Sequence, residues 1–197
     1  MRVLHGTTTV GLVTKSAAVV AADKRASSGT YVAHKTVKKI VRVADHVVLT
    51  TAGLVADTQV LASVLRLKAA EYSLTNKSRI PVKSLAAYLS LLLNTYKYVP
   101  FVVQFILAGY DDGPRLFNIE LFGDYFEDRY TATGSGSPIA IGVLESEYRE
   151  DMSDEEAVAL AVRAVRSSIR RDVFTGEAID VAIVRPNGIE ERTYSVG

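Results

Sequence analysis

The sequence predicts an α+β fold of four layers, an αββα sandwich of two antiparallel sheets flanked by helix pairs. Two observations support this prediction. Strand-like and helix-like segments come in blocks (strands, two helices, strands, two helices, strands), an order that argues against a parallel βαβ sheet. Segments such as AAVVAAD and DVAIV are almost continuously apolar, as expected for strands that are covered on both faces.

The first block predicts two antiparallel strand pairs. TTTVGLV and SAAVVAAD flank a turn at Lys15 and Ser16, and KKIVRV and HVVLTTAG flank Ala44 and Asp45. After Gly53 the apolar spacing changes to that of a helix, and a second helix, SLAAYLSLLLNTYKY, is entered through Pro81.

The second block predicts strands at FVVQFILAGY and RLFNIEL, joined by a turn at DDG, with a further pair around DYFEDRYTATG. Helices then resume, the first with Ser137 as N-cap and Pro138 in its first turn. Ser153 and Glu156 have capping-box spacing at the start of the second. A last hairpin is expected to turn at Asn187-Gly188.

The composition excludes or disfavours several classes of function. The 197 residues are 48% hydrophobic and 23% charged, which is enough for a substantial core. Since 23 Lys and Arg balance 22 Asp and Glu, no overall field favours nucleic acid or an anionic membrane. The chain has no cysteine, which excludes disulfides, thiolate metal sites and a cysteine nucleophile.

The sequence also lacks recognisable motifs for targeting, metal binding and phosphate binding. No segment reaches the roughly 18 apolar residues of a membrane span, and residues 1–6 do not resemble a secretory signal. His5, His34 and His46 have no metal-like spacing and are expected to be surface or turn residues. The loop GSGSP lacks the Gly-Lys-Ser/Thr ending of a phosphate loop. We therefore predict an intracellular protein without metal or cofactor.

The N-terminal stretch MRVLHGTTTVGLV raises a question about Thr7. Threonine favours strands, so Thr7 has an ordinary structural interpretation. The alternative is that Thr7 becomes a nucleophile when the Gly6-Thr7 bond is cut. A free α-amine, with a pKa of about 7.7 to 8.0, would then serve as its base.

Five further blocks accompany GTTTVG and favour the second interpretation: Asp23 in AADKRASSG, Lys39 in VKKIV, Gly53 in TTAGLVAD, ATGSGSP and RRDVFTG. Together, in this order, they resemble the proteasome β subunits of archaeal type over essentially the whole chain. The resemblance implies an N-terminal-nucleophile hydrolase fold, a propeptide at 1–6 that is removed by self-cleavage, and one catalytic domain at 7–197.

Roles follow from the resemblance for the matching positions only. It implies that Thr7 is the nucleophile, that Asp23 and Lys39 are the buried acid and lysine beside it, and that the Gly53 N–H forms the oxyanion hole. Ser135 and Asp172 match supporting polar positions, and Thr175 stands where the family often has serine. Positions near the specificity pocket include Ala26, Val37, Thr51 and Val55, which are uncharged and predict cleavage after apolar or neutral residues.

The predicted function is that of a threonine endopeptidase acting on unfolded polypeptides. The resemblance further implies a heptameric β ring stacked on rings of α subunits, a regulatory ATPase that acts through the α ring, and a cytoplasmic location. Two alternatives remain: a noncatalytic structural β subunit of the same ring, and a different N-terminal-nucleophile amidohydrolase.

Overall fold

The computed structural model describes residues 6–29 and 31–196, so His5 lies outside the described residues. It contains two five-stranded sheets and a separate two-stranded hairpin. The strands are β1 (Thr9–Val13), β2 (Ala18–Asp23), β3 (Ala26–Ser28), β4 (Tyr31–His34), β5 (Ile40–Ala44), β6 (Val47–Gly53), β7 (Val103–Tyr110), β8 (Pro114–Ile119), β9 (Tyr125–Glu127), β10 (Tyr130–Thr133), β11 (Ala178–Arg185) and β12 (Gly188–Ser195). The helices are α1 (Val55–Asn76), α2 (Val82–Thr95), α3 (Ser137–Glu147) and α4 (Asp154–Ile169).

The predicted four-layer architecture is confirmed. The first sheet has the order β10-β1-β2-β11-β12 and is covered by α3 and α4, and the second has the order β5-β6-β7-β8-β9 and is covered by α1 and α2. All the strand pairings among the described residues are antiparallel.

Strand β2 shows why its sequence is continuously apolar. Its side chains alternate between faces: Ala18, Val20 and Ala22 pack between the two sheets, whereas Val19 and Ala21 pack against the helix layer of the first sheet. Both faces are covered, so every residue of the strand is buried.

The two strands expected around DYFEDRYTATG are present, but they do not pair with each other. β9 pairs with β8 in the second sheet, whereas β10 pairs with β1 in the first. The connecting residues Asp128 and Arg129 carry the chain from one sheet to the other. A tight two-residue hairpin needs positive φ at its turn, and neither residue has it.

Some local features differ from those predicted from the sequence. The hairpin of β3 and β4, whose strands are only three and four residues long, is not among the predicted elements. Ser137 is not the N-cap but the first residue of α3, and Gly136 is the N-cap. A Cβ at position 136 would lie 2.0 Å from the hydroxyl oxygen of Thr8, which favours glycine there. His46 lies in the turn between β5 and β6, as expected, but it is buried there, with its Nε2 2.8 Å from the carbonyl oxygen of Ile80.

Other local predictions are confirmed. Ser153 accepts a hydrogen bond from the backbone N–H of Glu156, whose carboxylate accepts one from the backbone of Ser153, so the capping box at the start of α4 is complete. Ala17 and Thr14 close the first hairpin around Lys15 and Ser16.

Candidate active site

The sequence-predicted site residues come from four separate parts of the fold. Thr7 lies two residues before the start of β1, and Asp23 is the last residue of β2. Because β1 and β2 are antiparallel, with Thr9 opposite Ala22, the beginning of one strand lies beside the end of the other. Lys39 immediately precedes β5, and Gly53 is the last residue of β6. These strand ends lie on the same side of the two sheets, and the four residues therefore come together there.

Thr7 is buried and held from two sides. Its backbone N–H donates a hydrogen bond of 3.2 Å to Oγ of Ser135. Its own hydroxyl donates to the carbonyl oxygen of Gly6 over 2.7 Å. The hydroxyl that is predicted to act as the nucleophile thus lies against the peptide bond that is predicted to be cut.

Asp23 is completely enclosed and accepts four hydrogen bonds. Its Oδ1 accepts from the ammonium of Lys39 at 2.7 Å and from the backbone N–H of Thr8 at 3.0 Å. Its Oδ2 accepts from the backbone N–H groups of Arg25 (3.1 Å) and Gly176 (3.0 Å). A buried carboxylate needs this number of donors to offset its loss of solvation. Asp23 therefore fixes the Lys39 ammonium beside the backbone that carries Thr7.

The Lys39 ammonium is also buried, with only 5% of its side chain exposed. Burial lowers the pKa of Lys39, because the charged form loses its hydration, and the adjacent Asp23 opposes this shift. The result is an ammonium that is more acidic than a surface lysine. Such a group is suited to stabilising negative charge on a neighbouring oxygen.

A second chain of hydrogen bonds runs behind Thr7. Ser135 Oγ donates to Oδ2 of Asp172 at 2.6 Å, and the hydroxyl of Thr175 donates to the same oxygen. Thr175 also contacts the hydroxyl of Thr8 at 2.8 Å. All three predicted supporting residues thus belong to one hydrogen-bonded chain, which ends at the Thr7 N–H on one side and at the Thr8 hydroxyl on the other, and Thr175 contributes a hydroxyl to it.

Two positions in the site favour glycine because a side chain there would clash with neighbouring atoms. Gly53 has φ of +121°, and a Cβ there would lie 2.0 Å from the carbonyl oxygen of Val102. A Cβ at Gly6 would lie 1.6 Å from Cβ of Phe174. Neither position can accommodate a side chain without movement of the backbone.

Thr7, Lys39 and Gly53 open into one cavity of about 740 Å³. The four residues predicted to contact substrate, Ala26, Val37, Thr51 and Val55, all line it. Basic residues line it as well, and these were not anticipated: Arg25, His34, Lys38 and Arg66. No carboxylate lines the cavity among the described residues.

Several contributors to the site were missed by sequence reasoning. Thr8, Arg25 and Gly176 bond directly to Asp23 or Thr175. Three of these four contacts use backbone N–H groups, which almost any residue type can supply, so the sequence carries no signal for them. The run of three threonines was the one available signal for Thr8.

The described part of the chain contains no helix long and apolar enough to cross a bilayer. It also contains no group of three or more His, Cys, Asp or Glu side chains arranged to hold a metal ion.

The four-layer sandwich, with a threonine at the start of the first strand beside a buried lysine, defines the class of N-terminal-nucleophile hydrolase folds. Comparison with known proteins gives the family. Residues 3–184 match the model of the proteasome subunit family, and the chain belongs to that family.

Relatives in three organisms match over nearly the whole chain. It is 50% identical over 196 residues to "Proteasome subunit beta 2" of Ignicoccus hospitalis, covering 100% of this chain and 92% of the relative. The protein of the same name in Hyperthermus butylicus gives the same identity and coverage. That of Sulfolobus acidocaldarius is 48% identical, covering 99% of this chain and 96% of the relative. The predicted resemblance to archaeal proteasome β subunits is thus confirmed.

Proposed function

We propose that this chain is a catalytic β subunit of a proteasome core, a threonine endopeptidase that hydrolyses unfolded polypeptides. The observation that carries the proposal is the convergence of Thr7, the Asp23–Lys39 pair and Gly53 on one cavity. A noncatalytic subunit has no need to bury a lysine ammonium next to a threonine hydroxyl, because a buried ion pair is weak evidence for stability on its own account.

The first reaction is self-cleavage. The Thr7 hydroxyl oxygen bonds to the carbonyl carbon of Gly6, the bond from that carbon to the Thr7 nitrogen breaks, and the hydroxyl proton passes to the nitrogen. Water then hydrolyses the resulting ester, which releases residues 1–6 and restores the hydroxyl. The 2.7 Å contact between the hydroxyl and the Gly6 carbonyl supports this step, and the smallness of Gly6 permits the close approach.

Cleavage creates the base for the second reaction. In the uncut chain the Thr7 nitrogen is an amide without a basic lone pair. Once Gly6 is released it is an amine whose pKa lies near neutrality, and it accepts the hydroxyl proton as Thr7 attacks a substrate carbonyl. The Lys39 ammonium stabilises negative charge on the Thr7 oxygen, and the Gly53 N–H binds the oxyanion of the tetrahedral intermediate.

Assembly with α subunits and other β subunits in stacked rings follows from the family. Exposed apolar residues on α1 support an interface there: Val60, Leu67 and Leu74 recur every seven residues along one face, the spacing of helix-to-helix contacts. A cytoplasmic location, and substrate delivery by an ATPase through the α ring, belong to the same proposal.

Processing tests the proposal most directly. We expect the chain in assembled particles to begin at Thr7, as measured by intact mass, and to hydrolyse fluorogenic peptides. Thr7→Ala particles should retain the leader and be inactive. Assembled particles that keep residues 1–6, or whose activity survives Thr7→Ala, would support the noncatalytic alternative. Turnover of small amides by an isolated subunit would support a different amidohydrolase.

Substrate preference is a separate prediction. The four uncharged residues that line the cavity favour an apolar or neutral side chain before the cleaved bond, and the basic residues around them disfavour lysine. A peptide panel with Leu, Tyr, Gln, Glu and Lys at that position measures this preference. Cleavage that is fastest after Lys or Glu would contradict it.

A further inference from the structure

The loop of residues 134–136 forms one wall around the Thr7 backbone. Its Ser135 hydroxyl accepts the Thr7 N–H, and the N–H of Gly136 points at the carbonyl oxygen of Thr7 over 3.4 Å. Gly134 has φ of +91°, and a Cβ there would lie 2.1 Å from that same oxygen. Any shift of this loop is therefore transmitted to Thr7.

One side chain from the opposite sheet holds the loop in place. Gln104 lies on β7 of the second sheet, and its Oε1 accepts the backbone N–H of Gly134 at 3.2 Å. The loop follows β10, which belongs to the first sheet. Gln104 thus ties the two sheets together at the point where the loop contacts Thr7.

The amide of Gln104 is oriented by a carboxylate. Its Nε2 donates to Oε2 of Glu120 at 2.8 Å, and the other oxygen of Glu120 accepts from the side-chain amide of Asn118 at 3.1 Å. The reversed orientation would set the Gln104 NH₂ against the Gly134 N–H and its oxygen against the Glu120 carboxylate. Glu120 therefore ensures that Gln104 presents an acceptor to Gly134.

We propose that Gln104 is a positioning residue for the chemistry of Thr7, acting through Gly134, with Glu120 fixing its orientation. This role rests on the proposed function. Gln104 does not line the cavity, so its effect falls on the turnover rate and on self-cleavage rather than on peptide binding.

An exchange of the two side chains provides the test. In Gln104→Glu, two carboxylates stand within hydrogen-bond distance, and they can share the site without repulsion only when one is protonated. Adding Glu120→Gln restores every contact: the carboxylate introduced at position 104 accepts from both Gly134 and the amide introduced at position 120, and the oxygen of that amide accepts from Asn118.

Measurements use assembled particles, with kcat and KM for a fluorogenic peptide from pH 6 to pH 9. We expect kcat of Gln104→Glu to fall roughly tenfold at pH 8, where small displacements of reacting groups are costly, with a smaller loss at pH 6 and KM unchanged. The double variant should recover both the rate and the pH profile of wild type. Gln104→Met, which is uncharged, should lower kcat evenly across this range, and it decides the matter if Gln104→Glu does not assemble.

The outcomes separate the two proposals. Wild-type rate and pH profile in Gln104→Glu and Gln104→Met particles, or a defect that Glu120→Gln does not repair, would overturn the role of Gln104 while leaving that of Thr7 intact. Wild-type particles that are inactive, or no more active than Thr7→Ala, would overturn the proposed function and this role with it.

Discussion

An aspartate gathers hydrogen bonds at each end of the first hairpin: Asp23, the last residue of β2, at one end, and Asp154, the first residue of α4, at the other. Comparing them distinguishes residues expected to act in the chemistry from residues that stabilise the fold. At the Thr7 end, Asp23 binds the Lys39 ammonium and three backbone N–H groups. At the turn end, Asp154 accepts from the hydroxyls of Thr14 (2.7 Å) and Ser16 (2.8 Å) and from Nε of Arg185 (2.8 Å). Both aspartates link distant parts of the chain.

The two aspartates differ in the burial of their cationic partners. Lys39 is buried, has Asp23 as its ion-pair partner, and lines the cavity that contains Thr7. Arg185 is 26% exposed and divides its charge between Asp154 and Glu190. If Thr7 is the nucleophile, as proposed, a desolvated ammonium in its cavity is expected to change its reactivity, whereas a partly exposed guanidinium in a surface network is expected only to hold segments together. The two aspartate–cation pairs therefore have different expected roles, because one cation is buried and the other is partly exposed.

The largest effect is expected from Lys39. Lys39→Ala leaves Asp23 buried without its cation and removes the charge next to Thr7, so leader cleavage and peptide hydrolysis should both fall at least about 100-fold. Lys39→Arg keeps the charge, but a planar guanidinium does not fit the space of an ammonium, so we expect severe loss there as well. Intact mass and peptide turnover of assembled particles measure the two reactions.

Lys24→Ala is the matched control for Lys39. Lys24 follows Asp23 in the chain and forms an ion pair with Asp180 at the same N–O distance of 2.7 Å, but this pair is partly exposed and outside the cavity. We expect full processing and a stability loss of at most about 1 kcal/mol. If assembled Lys39→Ala particles process and turn over peptide as well as Lys24→Ala particles, the catalytic assignment of Lys39 is wrong.

Replacing Asp154 should change the stability of the fold and the pH dependence of that stability, without changing peptide hydrolysis or leader cleavage. Burial alone would raise the pKa of Asp154, but hydrogen bonds from Thr14, Arg185 and Ser16 outweigh it and hold the pKa below its ordinary value. Ionised Asp154 therefore stabilises the fold above about pH 4, and this contribution is lost as the pH falls through the lowered folded-state pKa.

Asp154→Asn should cost about 1 to 3 kcal/mol at pH 7, and less in acid as the wild type loses the same contribution. Denaturant unfolding of the chain at pH 7 and pH 3 measures the difference. A stability loss that is equal at both pH values would show that the charge of Asp154 is not what stabilises this end of the hairpin.

Ser16 gives the smallest expected effect. Its hydroxyl is exposed and supplies one of three donors to Asp154, so water can replace it. Ser16→Ala should cost about 0.5 kcal/mol, and peptide turnover should match wild type. A stability loss as large as that of Asp154→Asn would mean that Ser16, and not Asp154, holds this end of the hairpin in place.

The sequence by itself determined the order of the elements, the layers and the family. Alternating and continuous apolar segments specify strands and their burial because side chains on a strand repeat every two residues. Local capping chemistry fixed the start of α4, where Ser153 and Glu156 are three residues apart. The residues predicted for the site could be named because the sequence blocks that contain them resemble those of archaeal proteasome β subunits.

Only the tertiary structure decided how these residues are connected. Which sheet β10 joins depends on its long-range pairing with β1, and this placed Ser135 beside Thr7. The backbone donors to Asp23 and the Gln104 contact with Gly134 join residues that are far apart in the chain. The donors in these contacts are backbone N–H groups, whose positions depend on where the chain passes, so no local pattern encodes the contacts.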